Sequence, residues 1–217
     1  VSSKIKPIPV QPYTPEEIEK ILQACDSFGK SAYERLRAKA LALALRHTAL
    51  RLSDALMLRR ERIQDGEILI YTQKAGTPVW LPVHPELQRA LELCPVPRGA
   101  AADCSYFFWN GEMGQRALLG IGERTLHRVF ELSGVTQAHA HRFRHTLAIE
   151  TLRYGGTIED VARILGNSPM VAYKHYAAWC SRYQDRIREI MLMVQQAESG
   201  AAELHGGYTE KKQPVIN

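Results

Sequence analysis

The chain has 217 residues, 45% of them apolar, enough to bury the core of one large domain or two small ones. Its net charge of +5 permits a nucleic-acid partner without requiring one, so charge alone assigns nothing. No apolar run is long enough to span a bilayer, and four scattered cysteines without a C-x-x-C pair exclude the usual zinc-ligand spacing and a compact disulfide framework.

Residues 1–13 carry Pro7, Pro9 and Pro12 among polar residues and read as an extended arm or linker. The start "VSSKIKPIPV" lacks the basic-then-apolar pattern of a signal peptide. It also lacks an initiator Met, so we expect a piece of a longer protein, cytoplasmic, with reduced cysteines and no membrane partner. The domain proper is expected over 14–198. Thr14 as N-cap, Pro15 in the first turn and Glu17 closing a capping box predict a helix start. "SAYERLRAKALALALRHTAL" predicts a second helix, apolar on most sides and therefore buried. After "RLSDALMLRRERI" the period changes: Asp65-Gly66 marks a turn, and "EILIYTQ", "KAGT" and "PVWLPV" predict a β-hairpin over 67–83 as the only sheet. Helices are predicted again over 85–94, 122–133, 141–154, 157–165 and 169–179, with an amphipathic stretch over 182–198 and a mobile polar tail over 199–217. The fold class expected is α+β, mainly helical, with one small antiparallel sheet.

Residues 139–146 read "HAHRFRHT" and hold two overlapping His-x-x-Arg frames, His139 to Arg142 and His141 to Arg144. Positions i, i+3 and i+4 of a helix share a face, so His141, Arg144 and His145 point together while Phe143 and Leu147 face a core. By itself the stretch is equally an exposed basic helix. The order of polar groups along the chain is more specific: an arginine in "TALRLSDAL", a lysine in a hairpin turn, "HRFRHT", "LGNS", then a tyrosine. This order resembles the catalytic domain of the tyrosine recombinase, or phage integrase, family from about Thr14 to the helix after Tyr176. The family pattern T-G-L-R-x-S-E/D falls on Thr48 to Asp54, with Ala49 in place of the usual glycine. Its H-x-L-R-H-T falls on His141 to Thr146, which selects the His141–Arg144 frame.

What the resemblance implies is strand exchange in double-stranded DNA through a 3′-phosphotyrosyl link. The phosphoester energy is retained, so neither a nucleotide cofactor nor a metal ion is implied. The transition state gathers negative charge on nonbridging oxygens, which planar, permanently charged guanidinium groups suit; Arg51 and Arg144 are the candidates. His141 is expected to accept the tyrosine proton or hold the phosphate, because a phenol of pKa near 10 is only about 0.1% ionised at pH 7. Lys74 is expected to protonate the departing 5′-oxygen, although a lysine at a hairpin tip is often merely solvated. Family spacing puts the nucleophile nine residues after Asn167, at Tyr176, with Tyr173 as the neighbouring alternative on the same helix face.

Asn167 stands where the family has histidine or tryptophan donating to the phosphate. An amide also donates but carries no charge, so reduced activity is expected; loss of one preorganised donor costs about a hundredfold or more. His175 is a possible substitute. Two other readings stay open: an integrase relic that only binds DNA, marked by Ala49 and Asn167, and a type IB topoisomerase, disfavoured by the short spacing from His141 to Tyr176. The stripe Ile187, Ile190, Met191 and Val194 needs an apolar partner. Either it folds back on its own core, or, as in the resembling family, it docks on a neighbouring protomer. The expectation is a homotetramer of the full-length protein on DNA and a monomeric fragment.

Overall fold

The computed structural model describes residues 11–71, 78–180 and 185–196. Helix α1 (Pro15–Ser27) begins with reciprocal bonds: the Glu17 N–H donates to the Thr14 hydroxyl and the Thr14 N–H donates to the Glu17 carboxylate. Helix α2 (Ala32–Thr48) begins the same way on Ser31 and Glu34. These boxes satisfy donors that a helix start leaves orphaned, and they depend only on residues three apart. The middle of α2, from Ala40 to Leu45, is wholly buried. Its many alanines let α1, α4 and α6 pack close around it.

A one-turn helix α3 (Leu52–Leu56) and a 3-10 turn lead to an antiparallel sheet of β1 (Ile63–Gln64), β2 (Glu67–Tyr71) and β3 (Pro78–Pro82), in that order. The expected hairpin is present, with Leu69 opposite Trp80. Asp65-Gly66 does more than end a segment. Both residues have positive φ, 50° and 76°, and form the two-residue turn that pairs Ile63 with Ile68. Strand β1 escaped prediction because two residues carry no periodicity.

Helix α4 (Pro85–Glu92) follows, and α5 (Gln115–Ser133) starts seven residues before the predicted 122. The glycines at 120 and 122 look like helix breakers, yet a Cβ on Gly122 would sit 2.6 Å from Leu56 Cδ1. Glycine there permits the close approach of α3 to α5, a tertiary reason that overrides propensity. Helices α6 (Ala140–Arg153), α7 (Ile158–Leu165) and α8 (Pro169–Tyr176) agree with prediction except that the last turn, Ala177–Trp179, tightens to 3-10.

Two clusters of buried side chains result. The larger joins α1 to α5, the sheet and Phe143; the smaller joins α6, α7, α8 and Ala49. Packing begins before the first capping box: Tyr13 is buried, its N–H donates to the Thr146 hydroxyl at 2.8 Å, and its ring lies 4.8 Å from that of Phe143. Residues 185–196 are helical and exposed throughout, so the Ile187–Val194 stripe does not fold back on either cluster. Lys74 and the tail from 197 lie outside the described residues.

Candidate active site

Helix α6 sorts the two overlapping frames. Arg142 turns toward the N-terminal segment, where its guanidinium donates to the carbonyls of Gln11, Pro12 and Thr136 and to the Glu17 carboxylate. His139 contributes its backbone: its carbonyl accepts from the Tyr13 hydroxyl, which in turn accepts from the His139 N–H. The first frame therefore anchors the start of the fold. His141, Arg144 and His145 face the opposite way, toward α3, α7 and α8.

Arg144 is 3% exposed, and its two terminal nitrogens donate to the carbonyls of Ala49 and Leu165. Burial and the nearby Arg51 pull its pKa down to about 10, so it stays cationic at neutral pH. Ala49 caps α2 in the left-handed region, at φ 52° and ψ 18°, which explains the glycine usual at this position. A β-carbon there costs roughly 1–2 kcal/mol. Here the Cβ is wholly buried in the smaller cluster, and the carbonyl meets Arg144, so the replacement keeps the backbone path.

Arg51, at the N-cap of α3, points a terminal nitrogen at Asn167 Oδ1 at 3.4 Å and lies 4.0 Å from the Asp54 carboxylate. Gly166, left-handed at the end of α7, turns the chain so that Asn167 follows at the site. Arg51 and His141 line one open groove of about 380 Å³ with Leu50, Leu52, His127 and His139. Arg144 is not in its wall, because backbone carbonyls seal it.

Tyr176 is 4% exposed, and its hydroxyl shares a 2.8 Å hydrogen bond with His145 Nδ1. Burial raises the phenol to about 12, partly offset by Arg144. Burial and then the neighbouring His141 lower His145 to about 4, so both partners are neutral at pH 7. His141 is also lowered, by burial first and then by Arg144, and its ring meets that of His145 edge to face at 4.6 Å. Tyr173, three positions earlier on α8, is 54% exposed, whereas Tyr176 at the helix end is buried. His175 is exposed with its ring 6.2 Å from that of Tyr176. Sequence reasoning placed His145 on the face of His141 and Arg144 but gave it no role; its bond to the Tyr176 hydroxyl appears only in the structure.

The His145 shift makes stability depend on pH. The unfolded imidazole takes up a proton near its ordinary 6.5, whereas the folded one does so only near 4. This contribution is complete above about pH 6.5 and is lost as pH falls toward 4. Urea unfolding should give a smaller unfolding free energy at pH 5 than at pH 7.5. His145→Gln should narrow that difference by about 1–2 kcal/mol without abolishing it, because His47, lowered by burial to about 3, contributes in the same direction. Equal slopes in the two proteins would remove His145 as the source.

The sequence model of the phage integrase family matches residues 12–180. The tyrosine recombinase XerC of Rickettsia canadensis (strain McKiel) is 25% identical over 160 residues, covering 71% of this chain and 51% of that protein. The chain thus spans about half the length of the curated relatives it matches. The crystal structure of XerA recombinase superposes with a TM-score of 0.61 at 19% identity, covering 86% of this chain and 66% of that one. XerH recombinase bound to a palindromic difH substrate, in its post-cleavage complex, gives 0.61 at 20% identity over 83% of this chain and 53% of that one.

Proposed function

The chain belongs to the phage integrase family, and on that premise we propose that it supplies the strand-cutting centre of a site-specific DNA recombinase acting through a 3′-phosphotyrosyl intermediate. The observation that carries this reading is convergence: Arg51 meets Asn167 across 116 residues of chain, and Arg144 bonds to the carbonyl of Ala49, two residues before Arg51. On the same helix as Arg144, His145 holds the Tyr176 hydroxyl. A random basic surface has no reason to gather these groups from α3, α6, the α7–α8 turn and α8.

In the proposed reaction the Tyr176 oxygen attacks phosphorus and a new P–O bond forms as the bond to the 5′-oxygen breaks. Arg51 holds the nonbridging oxygens, and His141, in the groove beside it, meets the phosphate. Arg144 joins them with the N–H groups not given to the Ala49 and Leu165 carbonyls, only after the departure of Tyr176 uncovers it. His145 takes the phenolic proton, the role first expected of His141, because it already holds that hydroxyl. Asn167 presents its amide where the family has an imidazole or indole. Tyr176 must leave its buried position to reach DNA, and the 3-10 turn at Ala177–Trp179 is the segment that yields. The four free cysteines and the lack of a membrane-spanning helix among the described residues are compatible with cytoplasmic action on double-stranded DNA. The exposed stripe on helix 185–196 supports assembly of four full-length protomers on DNA. The catalytic domain starts slightly before the expected residue 14, since Tyr13 is packed in its core and Arg142 bonds to Gln11 and Pro12. The residues before it serve as linker from a preceding DNA-binding domain, and 199–217 as tail.

The test is covalent trapping. Full-length protein mixed with nicked duplexes carrying candidate attachment sites should yield a denaturation-resistant adduct with phosphate on Tyr176. Binding without adduct would leave the DNA-binding relic as the correct reading. Lys74→Ala should slow cleavage of ordinary DNA about a hundredfold or more and be rescued by a 5′-thio leaving group, which departs without a proton. No rescue would exclude Lys74 as the acid.

A further inference from the structure

Away from this centre, two imidazoles and a carboxylate meet where the sheet returns to the helices. His47 lies in the last turn of α2, His84 is the N-cap of α4, and Glu86 is in the first turn of α4. The rings of His47 and His84 stack at 4.0 Å between centroids and 6° between planes. One ligand atom from each of the three residues lies within 4.8 Å of the others. We propose that His47, His84 and Glu86 form a binding site for a divalent transition-metal ion of the zinc class, joining the end of α2 to the start of α4.

The donor set suits such an ion: two neutral imidazoles and one carboxylate, with a fourth position for water, is a combination zinc accepts. Arms of about 2.0–2.1 Å put tetrahedral ligands about 3.3 Å apart, so atoms now up to 4.8 Å apart must close by about 1.5 Å. Because the stacked rings aim their in-plane lone pairs in parallel, one imidazole must also turn out of the stack to meet the shared ion. Metal requires deprotonated rings, so affinity should fall as the pH drops below neutral. The adjacent cation is already engaged, since Arg46 pairs with the Glu150 carboxylate through two bonds of 2.8 and 2.9 Å. One bond is given up. The Glu86 N–H donates to His84 Nδ1 at 3.3 Å, and metal at either ring nitrogen removes that acceptor, directly at Nδ1 or by shifting the proton there from Nε2. The bond is long and exposed, so water replaces it.

The placement gives the ion a consequence. Arg51 follows His47 by four positions, and His84 follows the end of β3, the strand paired with β2, by two. A bound ion would hold the hairpin against the helix that leads to Arg51.

The experiment titrates zinc chloride calorimetrically into chelator-treated protein, with a parallel thermal melt. One ion per chain should bind with a micromolar or lower Kd, and a hundredfold excess over Kd should raise Tm by about 5–10 °C. His84→Asn, which keeps a helix-capping acceptor, and Glu86→Gln should each weaken binding at least about tenfold while melting like the unaltered protein in chelator. His127 and Glu131 form an exposed pair 3.3 Å apart elsewhere on α5, so His127→Gln should leave affinity unchanged. Absence of saturable binding, binding that survives both His84→Asn and Glu86→Gln, or binding lost with His127→Gln would each overturn the proposal.

Discussion

Tyr176→Phe is expected to reduce covalent DNA adduct by a factor of about 10⁴ or more, because a phenyl ring has no oxygen to form the phosphodiester. DNA binding should persist, since the hydroxyl is buried and bonded to His145 rather than presented at the groove. The substitution leaves one imidazole nitrogen without its partner, at a cost of about 1 kcal/mol, too little to unfold the chain. Tyr173→Phe should leave the adduct intact. Trapping on nicked duplex, with the modified peptide read by mass spectrometry, decides between the two. Adduct surviving in Tyr176→Phe and lost in Tyr173→Phe would move the role to Tyr173.

Arg142→Ala should cost about 3–5 kcal/mol of folding stability, the largest effect expected from any residue outside the proposed chemistry. Its guanidinium satisfies four acceptors from three separate stretches of chain, including the Glu17 carboxylate at 2.8 Å, and lies over the Tyr13 ring at 4.3 Å. Removing it leaves a half-buried carboxylate and three carbonyls to find water. His139→Ala should stay within about 0.5 kcal/mol, because His139 works through its backbone and its imidazole makes no cap. Urea unfolding of both variants tests the division of labour between the two His-x-x-Arg frames. A loss under 1 kcal/mol for Arg142→Ala would mean that solvent already serves these acceptors.

Local rules were legible wherever a structure depends on neighbours in sequence. The capping box at Thr14 and the β2–β3 pairing rest on residues a few positions apart or on an alternating pattern. The motif order likewise put Arg51, His141, Arg144, Asn167 and Tyr176 forward as one set, because that order resembles the family's pattern. Helix α5 was misjudged at its start because the reason for Gly122 is Leu56, sixty-six residues away.

Sequence alone, through the family resemblance, put the site residues forward as a set, and their types state what chemistry they allow: permanent cations for a phosphate, a phenol for attack. Only the tertiary structure decided how they stand. It turned Arg142 to the N-terminal segment and Arg144 to two carbonyls, buried Tyr176 against His145 while leaving Tyr173 in solvent, and stacked His47 on His84. Periodicity says which residues share a face of one helix. Which neighbour covers that face, and therefore which side chain is desolvated, bonded or free to meet DNA, depends on contacts between segments far apart in the chain, for which local spacing holds no information.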